Sequence, residues 1–396
     1  MAKPPKILFV CHAGSTHAQS WINLLIGSGF DVRVFTVRFD SPQYIPPWDF
    51  TTYSAIQPHR DNLSKTSVIW LLPDIPRLKT FIRWFQDRFS IRDRWLHWLI
   101  NNWKPDILHS FPLDTGSRPA KNALVRINKN NWPKWVVSAW GSDLYIGLDD
   151  PDANGNLSFI LQHCDGFMAD CQRDLKLAED HGLIQEKLAF PYPLPGAGGL
   201  DLDKFSKIRD TYQERDLILV PKAFDREFAN RILPTLEALR LVEDAIAGYE
   251  IHLLNSSRTV QIWLKKQSAS FHRRCTCHDM LPQETFFELL GRTRLVISPS
   301  LSDGTPNVLL EAMGAGTLPI FSPLDSIKEW IQDGENGLLV HALYPDKIAN
   351  AIQRGLTDNE LFYRAKEKNW EIVKKKANRS QIREQVLTYY QGLSGR

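Results

Sequence analysis

Two carboxylates, Asp303 and Glu311, stand seven residues apart in the stretch SPSLSDGTPNVLLEAMGAGTLPIF, on either side of an expected helix start. Thr305 is the expected N-cap and Pro306 the expected first helical residue, where a missing N–H costs nothing. The loop and first turn (Gly304, Thr305, Pro306, Asn307 and Val308) would present the free backbone N–H groups of every residue but Pro306 and the positive end of the helix dipole, which suits a phosphate. Glu311 lies five residues beyond Pro306, about 7.5 Å along the axis. That is roughly the offset between a nucleotide's phosphates and its ribose hydroxyls, which a carboxylate binds with two hydrogen bonds. A sugar nucleotide uses all three features. The alternative is that the two acids only complement a helix dipole.

The apolar run LVISP before this loop and the run LPIF after the helix read as buried strands, with Gly316 ending the helix between them. The chain begins in the same way: KILFVC, a Gly/Ser loop, a helix and the strand DVRVFTV, the opening of a doubly wound α/β fold. AGST lacks the GxGxxG spacing of a dinucleotide site. Gly14, Ser15 and Thr16 nonetheless sit at the carboxyl end of a first strand, where ligands approach such sheets, or else form a simple turn and cap. KPDILHSF is a strand reaching His109, a residue that alone reads as a satisfied buried histidine. WVVSAW is another, leading to Trp140 and Asp143. Asp143 either binds a ligand hydroxyl or caps the following turn.

Together with the EW and DGENGLLV segments further on, the acid pair and EAMGAG resemble the carboxy-terminal signature of the family 4 glycosyltransferases (GT4). The match is strong over about forty residues of the sequence and weak elsewhere. The resemblance implies a GT-B fold, α/β, with two Rossmann-like doubly wound domains facing each other across a cleft. It implies a retaining hexosyltransferase that takes a nucleoside-diphosphate sugar as co-substrate and needs no metal or other cofactor. By that resemblance Asp303, in place of the usual Glu, would hold the donor sugar and Glu311 the ribose. Lys222 and Arg231, with Arg226 between them, would stand for the basic pair on the donor diphosphate, although Lys replaces Arg and the spacing is longer. Asp303, Lys222 and Arg231 are therefore the expected catalytic residues. The Gly14–Thr16 loop would face donor and acceptor. His109, Trp140 and Asp143 match in position the sugar- or acceptor-side segments, Trp140 standing where a histidine is usual. The Pro/Gly-rich PYPLPGAGG is the best linker. The expected domains are 1–205, for the acceptor, and 206–380, for the donor, with a helix 381–396 crossing back to the first.

At 396 residues, with 43 % hydrophobic and 23 % charged residues, the chain is long enough for two folded domains. Five scattered cysteines argue against a disulfide framework and for a reducing compartment. ILFV reads as a strand rather than a signal segment, and no apolar run reaches a membrane span. The expected location is the cytoplasm, or the inner face of its membrane as a peripheral protein. Residues 77–104 carry seven Lys/Arg against two Asp, hence +5, with four tryptophans and apolar residues at helical spacing. Such a segment either lies on an anionic membrane surface or forms a packed helix pair with Arg stems covering apolar surface. No second basic cluster accompanies it, so nucleic acid is not an expected partner. Two metal readings are weaker than their plain alternatives. Asp201 and Asp203 form a lone DxD at a linker end, and His272, Cys275, Cys277 and His278 alternate as in a strand. The acceptor would be a glycan, a lipid-linked molecule or another hydroxyl. Two further readings stand beside transfer: a GT-B sugar-nucleotide epimerase, and a donor-binding protein without transfer activity.

Overall fold

In the computed structural model the described residues are 3–37, 48, 50–57, 67–73, 75, 78–141, 143–149, 151–211, 214–226 and 229–395. Short apolar runs such as ILFV and LVIS are buried on both faces, the pattern of strands covered by helices on each side of a parallel sheet. Among the described residues seven strands form the first sheet: β1 (Lys6–Cys11), β2 (Asp31–Thr36), β3 (Thr51–Ile56), β4 (Val68–Leu72), β5 (Ile107–Ser110), β6 (Lys134–Ala139) and β7 (Gly166–Ala169). Their order is β4-β3-β2-β1-β5-β6-β7, every pairing parallel. The second sheet contains β8 (Leu217–Val220), β9 (Glu250–Leu253), β10 (Cys275–Cys277), β11 (Thr293–Ser298), β12 (Leu318–Phe321) and β13 (Leu338–Leu339). It runs β10-β9-β8-β11-β12-β13, again wholly parallel. Each winding reverses once, between β1 and β5 and between β8 and β11. These are the points where such sheets open a crevice beyond the carboxyl ends of the strands.

The chain divides into two compact units, Met1–Gly198 with Gln381–Arg396, and Gly199–Ser380; the division falls seven residues before the boundary expected from composition. Each sheet has a separate apolar cluster on each face. In the first unit Trp21, Phe9 and Tyr390 lie on one side and Trp135, Leu96 and Phe167 on the other. Each fully buried Leu, Ile or Phe contributes about 1.5–3 kcal/mol, so these clusters dominate the stability of both units. Tyr390 belongs to the C-terminal helix Arg379–Leu393, whose last residues complete the core of the first unit.

The basic, Trp-rich segment is not one helix. It forms Lys79–Arg88 and Ile91–Trp103, broken at Ser90, whose φ of 49° no helix interior accommodates. The second helix buries Trp95, Leu96, Leu99, Ile100 and Trp103, as a packed pair requires. The first leaves Phe81 and Trp84 58 % and 56 % exposed, as a surface-seeking helix would. Arg77 lies outside the described residues, as do the side chains of Lys79 and Arg83. No helix among the described residues is long and apolar enough to cross a membrane.

Candidate functional site

The crevice of the second sheet is built from the loops that leave β8 and β11. Lys222 comes two residues after β8, and Asp303 lies in the loop after β11. Strands that neighbour each other at the reversal bring these residues, 81 apart in sequence, into an ion pair, Lys222 Nζ on Asp303 Oδ2. Both side chains keep partial access to solvent, so the pair itself adds about 1 kcal/mol or less to stability. An ammonium has three donors, so Lys222 can hold Asp303 and a phosphate oxygen together.

The Asp303 loop is fastened from below. Ser326 Oγ donates to the Asp303 carbonyl at 2.9 Å, Ser322 Oγ accepts from Ser300 N at 2.9 Å, and the Trp330 indole donates to Thr305 Oγ1 at 3.1 Å. The helix start differs from the one expected. Thr305 accepts from Trp330, Pro306 takes extended backbone (φ −68°, ψ 131°) and acts as N-cap, and the helix is Asn307–Gly314. Its first N–H groups, on Asn307 and Val308, have no intrahelical acceptor by construction. The far end closes as expected at Gly316 (φ 72°): Thr317 N donates to Ala312 O and Gly316 N to Met313 O, a Schellman motif.

Glu311 rises from the second turn of this helix. Its carboxylate is half-buried and has no hydrogen bond or ion pair among the described residues, and burial pushes its pKa up to about 7. A carboxylate desolvated without a protein donor is poised for hydroxyl donors from outside.

Arg226 and Arg231 sit in the loop after β8, which folds into a tight turn through reciprocal backbone bonds between Arg226 and Asn230. The Asn230 side chain holds that turn, donating to Lys222 O at 3.1 Å and to Phe224 O. The Arg231 guanidinium donates to the carbonyls of Arg226 (3.0 Å) and Asn230 (3.1 Å), so it braces the loop, while Arg226 is exposed. Asn230 carries no signal in the sequence, since nothing in an isolated Asn shows that its amide will fix two carbonyls.

In the first unit the loop after β1 holds Gly14, Ser15 and Thr16 at the sheet's own reversal. Gly14 N donates to His12 Nδ1 at 3.0 Å, and Ser15 is the N-cap of Thr16–Ile22 by position, without a side-chain bond. His109 does not reach the surface. It is fully buried, its Nδ1 2.6 Å from Tyr390 Oη and its Nε2 2.8 Å from Ser138 Oγ. Trp21 Nε1 donates to the same Tyr390 oxygen at 3.2 Å. Burial holds the imidazole neutral, lowering its pKa to about 3. His109 is thus the satisfied buried histidine, and the acceptor-side role the resemblance gave it has no geometric basis. Trp140 packs its ring on Phe111 (centroids 4.3 Å apart) and borders Gly196. Asp143 accepts three backbone N–H bonds, from Leu113 (2.6 Å), Trp140 (3.0 Å) and Leu144 (2.9 Å). Burial and the nearby Asp174 outweigh these and raise its pKa to about 7. Of its two sequence readings, the structure displays the capping one.

The four candidate ligands His272, Cys275, Cys277 and His278 do not converge: His272 is on the helix Ala269–Arg274, the cysteines are on β10, and His278 Nε2 lies 2.9 Å from His252 Nδ1. Among the described residues the group that does converge is Asp170, Cys171 and Asp174, where the Arg173 guanidinium already pairs with Asp174 at 2.7 Å.

Comparison with known proteins bears on the fold. Residues 229–358 match the family model described as glycosyl transferases group 1. The structure is similar to sucrose-phosphate synthase from Thermosynechococcus elongatus, with a TM-score of 0.71 at 18 % identity over 99 % of each chain. It is also similar to Anabaena HepE in complex with UDP and glucose (TM-score 0.65, 13 % identity, 98 % of this chain and 99 % of that one). A glycosyltransferase from Rickettsia africae gives 0.64 at 13 % identity over 99 % of each chain. No curated protein matches by sequence. The chain therefore has the GT-B fold, α/β with two Rossmann-like parallel sheets, and its second unit carries a region matching the glycosyl transferases group 1 model.

Proposed function

We propose that this protein is a retaining glycosyltransferase of the GT4 type, moving a hexose from a nucleoside-diphosphate sugar to a hydroxyl of a glycan or lipid-linked acceptor. The observation that carries this reading is the juxtaposition, at one sheet reversal, of the Lys222–Asp303 pair with a helix N-terminus and the unpartnered carboxylate of Glu311. Glu311 accepts the ribose hydroxyls and the first turn of its helix receives phosphate oxygens. Lys222 stabilises the negative charge that grows on the diphosphate as it leaves, while Asp303 orients the sugar. Arg231 contributes mainly by keeping the Lys222 loop in place. The bond from the anomeric carbon to the phosphate oxygen breaks as the bond to the acceptor oxygen forms on the same face. The acceptor proton passes to the departing phosphate. The cationic groups in this scheme are side chains, and it calls for no bound metal.

HepE was crystallised with UDP and glucose, which supports a uridine nucleotide as the first donor to test. The protein would work in the cytoplasm, with residues 77–104 meeting an anionic membrane surface where a lipid-linked acceptor resides. The deciding experiment is incubation with UDP-sugars, with and without glycan and lipid acceptors, following product anomeric configuration by NMR. Transfer with retention is expected. Epimerised donor without acceptor, or tight binding with no turnover under any acceptor, would replace this reading by one of the two alternatives.

A further inference from the structure

A cavity of about 620 Å³ lies beside the β4 edge of the first sheet. Its walls are Ile69 and Leu71 from β4 and Trp95, Trp98, Leu99 and Trp103 from the helix Ile91–Trp103. Among the described lining residues Arg33 supplies the one charge, and that charge is already engaged: its guanidinium donates to Tyr53 Oη at 2.5 Å and lies 4.4 Å from the Trp103 ring centroid. The lining therefore offers apolar and aromatic surface with few polar groups to orient a soluble ligand, at a volume typical of small-molecule sites.

The surroundings are unusual for a surface facing water. β4 is an edge strand, and three consecutive residues on it (Ile69, Trp70 and Leu71) are exposed. Trp98 is 54 % exposed at the cavity, and Phe81, Trp84 and Phe85 are exposed on the adjoining helix Lys79–Arg88. An apolar face of this kind implies an occupant. Charge decides which. Residues 77–104 carry +5, while the whole chain carries +3, so all other residues together carry −2. A second copy of the chain docking by this face would set +5 against +5, since a two-fold contact meets itself. An anionic bilayer is complementary to the charge and takes up the exposed aromatic rings at its headgroup level.

We propose that the cavity seats an acyl chain of an anionic membrane lipid, with the helix Lys79–Arg88 lying in the headgroup region. This rests on the peripheral membrane reading above and adds to it a site for the lipid itself. The lipid's charged head would meet the exposed Arg88 and Arg94.

The test uses the full chain with vesicles of phosphatidylcholine, alone or with phosphatidylglycerol, the latter bearing a photoactivatable diazirine on one acyl chain. Flotation should require phosphatidylglycerol and fall at least tenfold when salt is raised to about 0.5 M, a concentration at which exposed charges are screened within about 4–5 Å. Mass spectrometry should find the label on the Ile69–Leu71 and Trp95–Trp103 segments. Ile69→Asp/Leu71→Asp places carboxylates at two exposed positions that the fold does not need. It should lower labelling at least tenfold with thermal melting and nucleotide binding unchanged, whereas Arg88→Glu/Arg94→Glu should abolish flotation. Flotation with label confined to residues 81–89 would overturn the cavity site and leave the membrane reading intact. Absence of flotation on any vesicle, or a dimer in sedimentation that the Asp variant dissociates, would overturn both. Neither result bears on donor binding, which calorimetry on the same preparation measures separately.

Discussion

The crevice between β8 and β11 carries charge at its mouth, whereas in the first unit one face of the sheet at β1 and β5 is packed with rings. Both sheets are parallel, reverse once and open at the carboxyl ends of their strands. In the second unit those ends present Lys222, Asp303 and, one helix turn in, Glu311, all with some access to solvent. In the first unit one face of the sheet holds Phe9, Trp21, His109, Phe111 and Tyr390 in contact. Its histidine is fully buried and neutral. The shared winding explains why each unit has a crevice. It does not explain what the crevice does, because that depends on whether the residues after the strands are charged and reachable or aromatic and covered.

The largest expected break in this contrast is Lys222→Ala. Turnover with a nucleotide sugar should fall about 10²–10³-fold while donor affinity changes far less, because the charge Lys222 faces grows only as the bond breaks. Steady-state kinetics with saturating donor checks it; a rise in KM with kcat intact would remove the leaving-group role.

Next is Glu311→Gln, which should weaken donor binding by about 1.5–3 kcal/mol, read by calorimetry. A folded variant that binds as wild type would sink the ribose assignment.

The two regions should also respond to pH with opposite signs. The Glu311 pKa is higher folded (about 7) than unfolded (about 4.5), so the folded state binds the extra proton between those values. Its penalty is absent below about pH 4.5, grows as pH rises and is complete above about 7, reaching at most about 3 kcal/mol. Glu311→Gln should therefore be more stable than wild type at about pH 8 and equal to it near pH 4. His109 has a lower pKa folded (about 3) than unfolded (about 6.5), so its penalty is absent above about pH 6.5 and grows as pH falls toward 3. His109→Gln should flatten the acid limb of the stability curve and leave nucleotide binding unchanged. Urea unfolding from about pH 4 to about pH 8 on wild type and both variants measures the two slopes. If His109→Gln altered donor affinity, the contrast between a working crevice and a structural histidine would fail.

The smallest effect is expected from Arg231→Ala, about tenfold or less in kcat/KM, since its guanidinium braces the Arg226 and Asn230 carbonyls. A loss as large as that of Lys222→Ala would restore Arg231 to direct contact with the diphosphate.

Much of this was local enough to be written in the sequence. The apolar runs ILFV, LVIS and LPIF are strands, and Gly316 ends the helix that bears Glu311, because periodicity and a positive φ act within a few residues. The spacing of Asp303 and Glu311 around a helix start was legible for the same reason. What tertiary structure alone decided are the relations across long separations. Lys222 reaches Asp303 only because β8 and β11 lie side by side, and the Trp330 indole bonds Thr305 from 25 residues away. His109 is withdrawn from chemistry by Tyr390, 281 residues away. Sequence patterning reports which face of an element is apolar. Which partner covers that face, and so which polar groups stay free to act, is settled only when the elements pack.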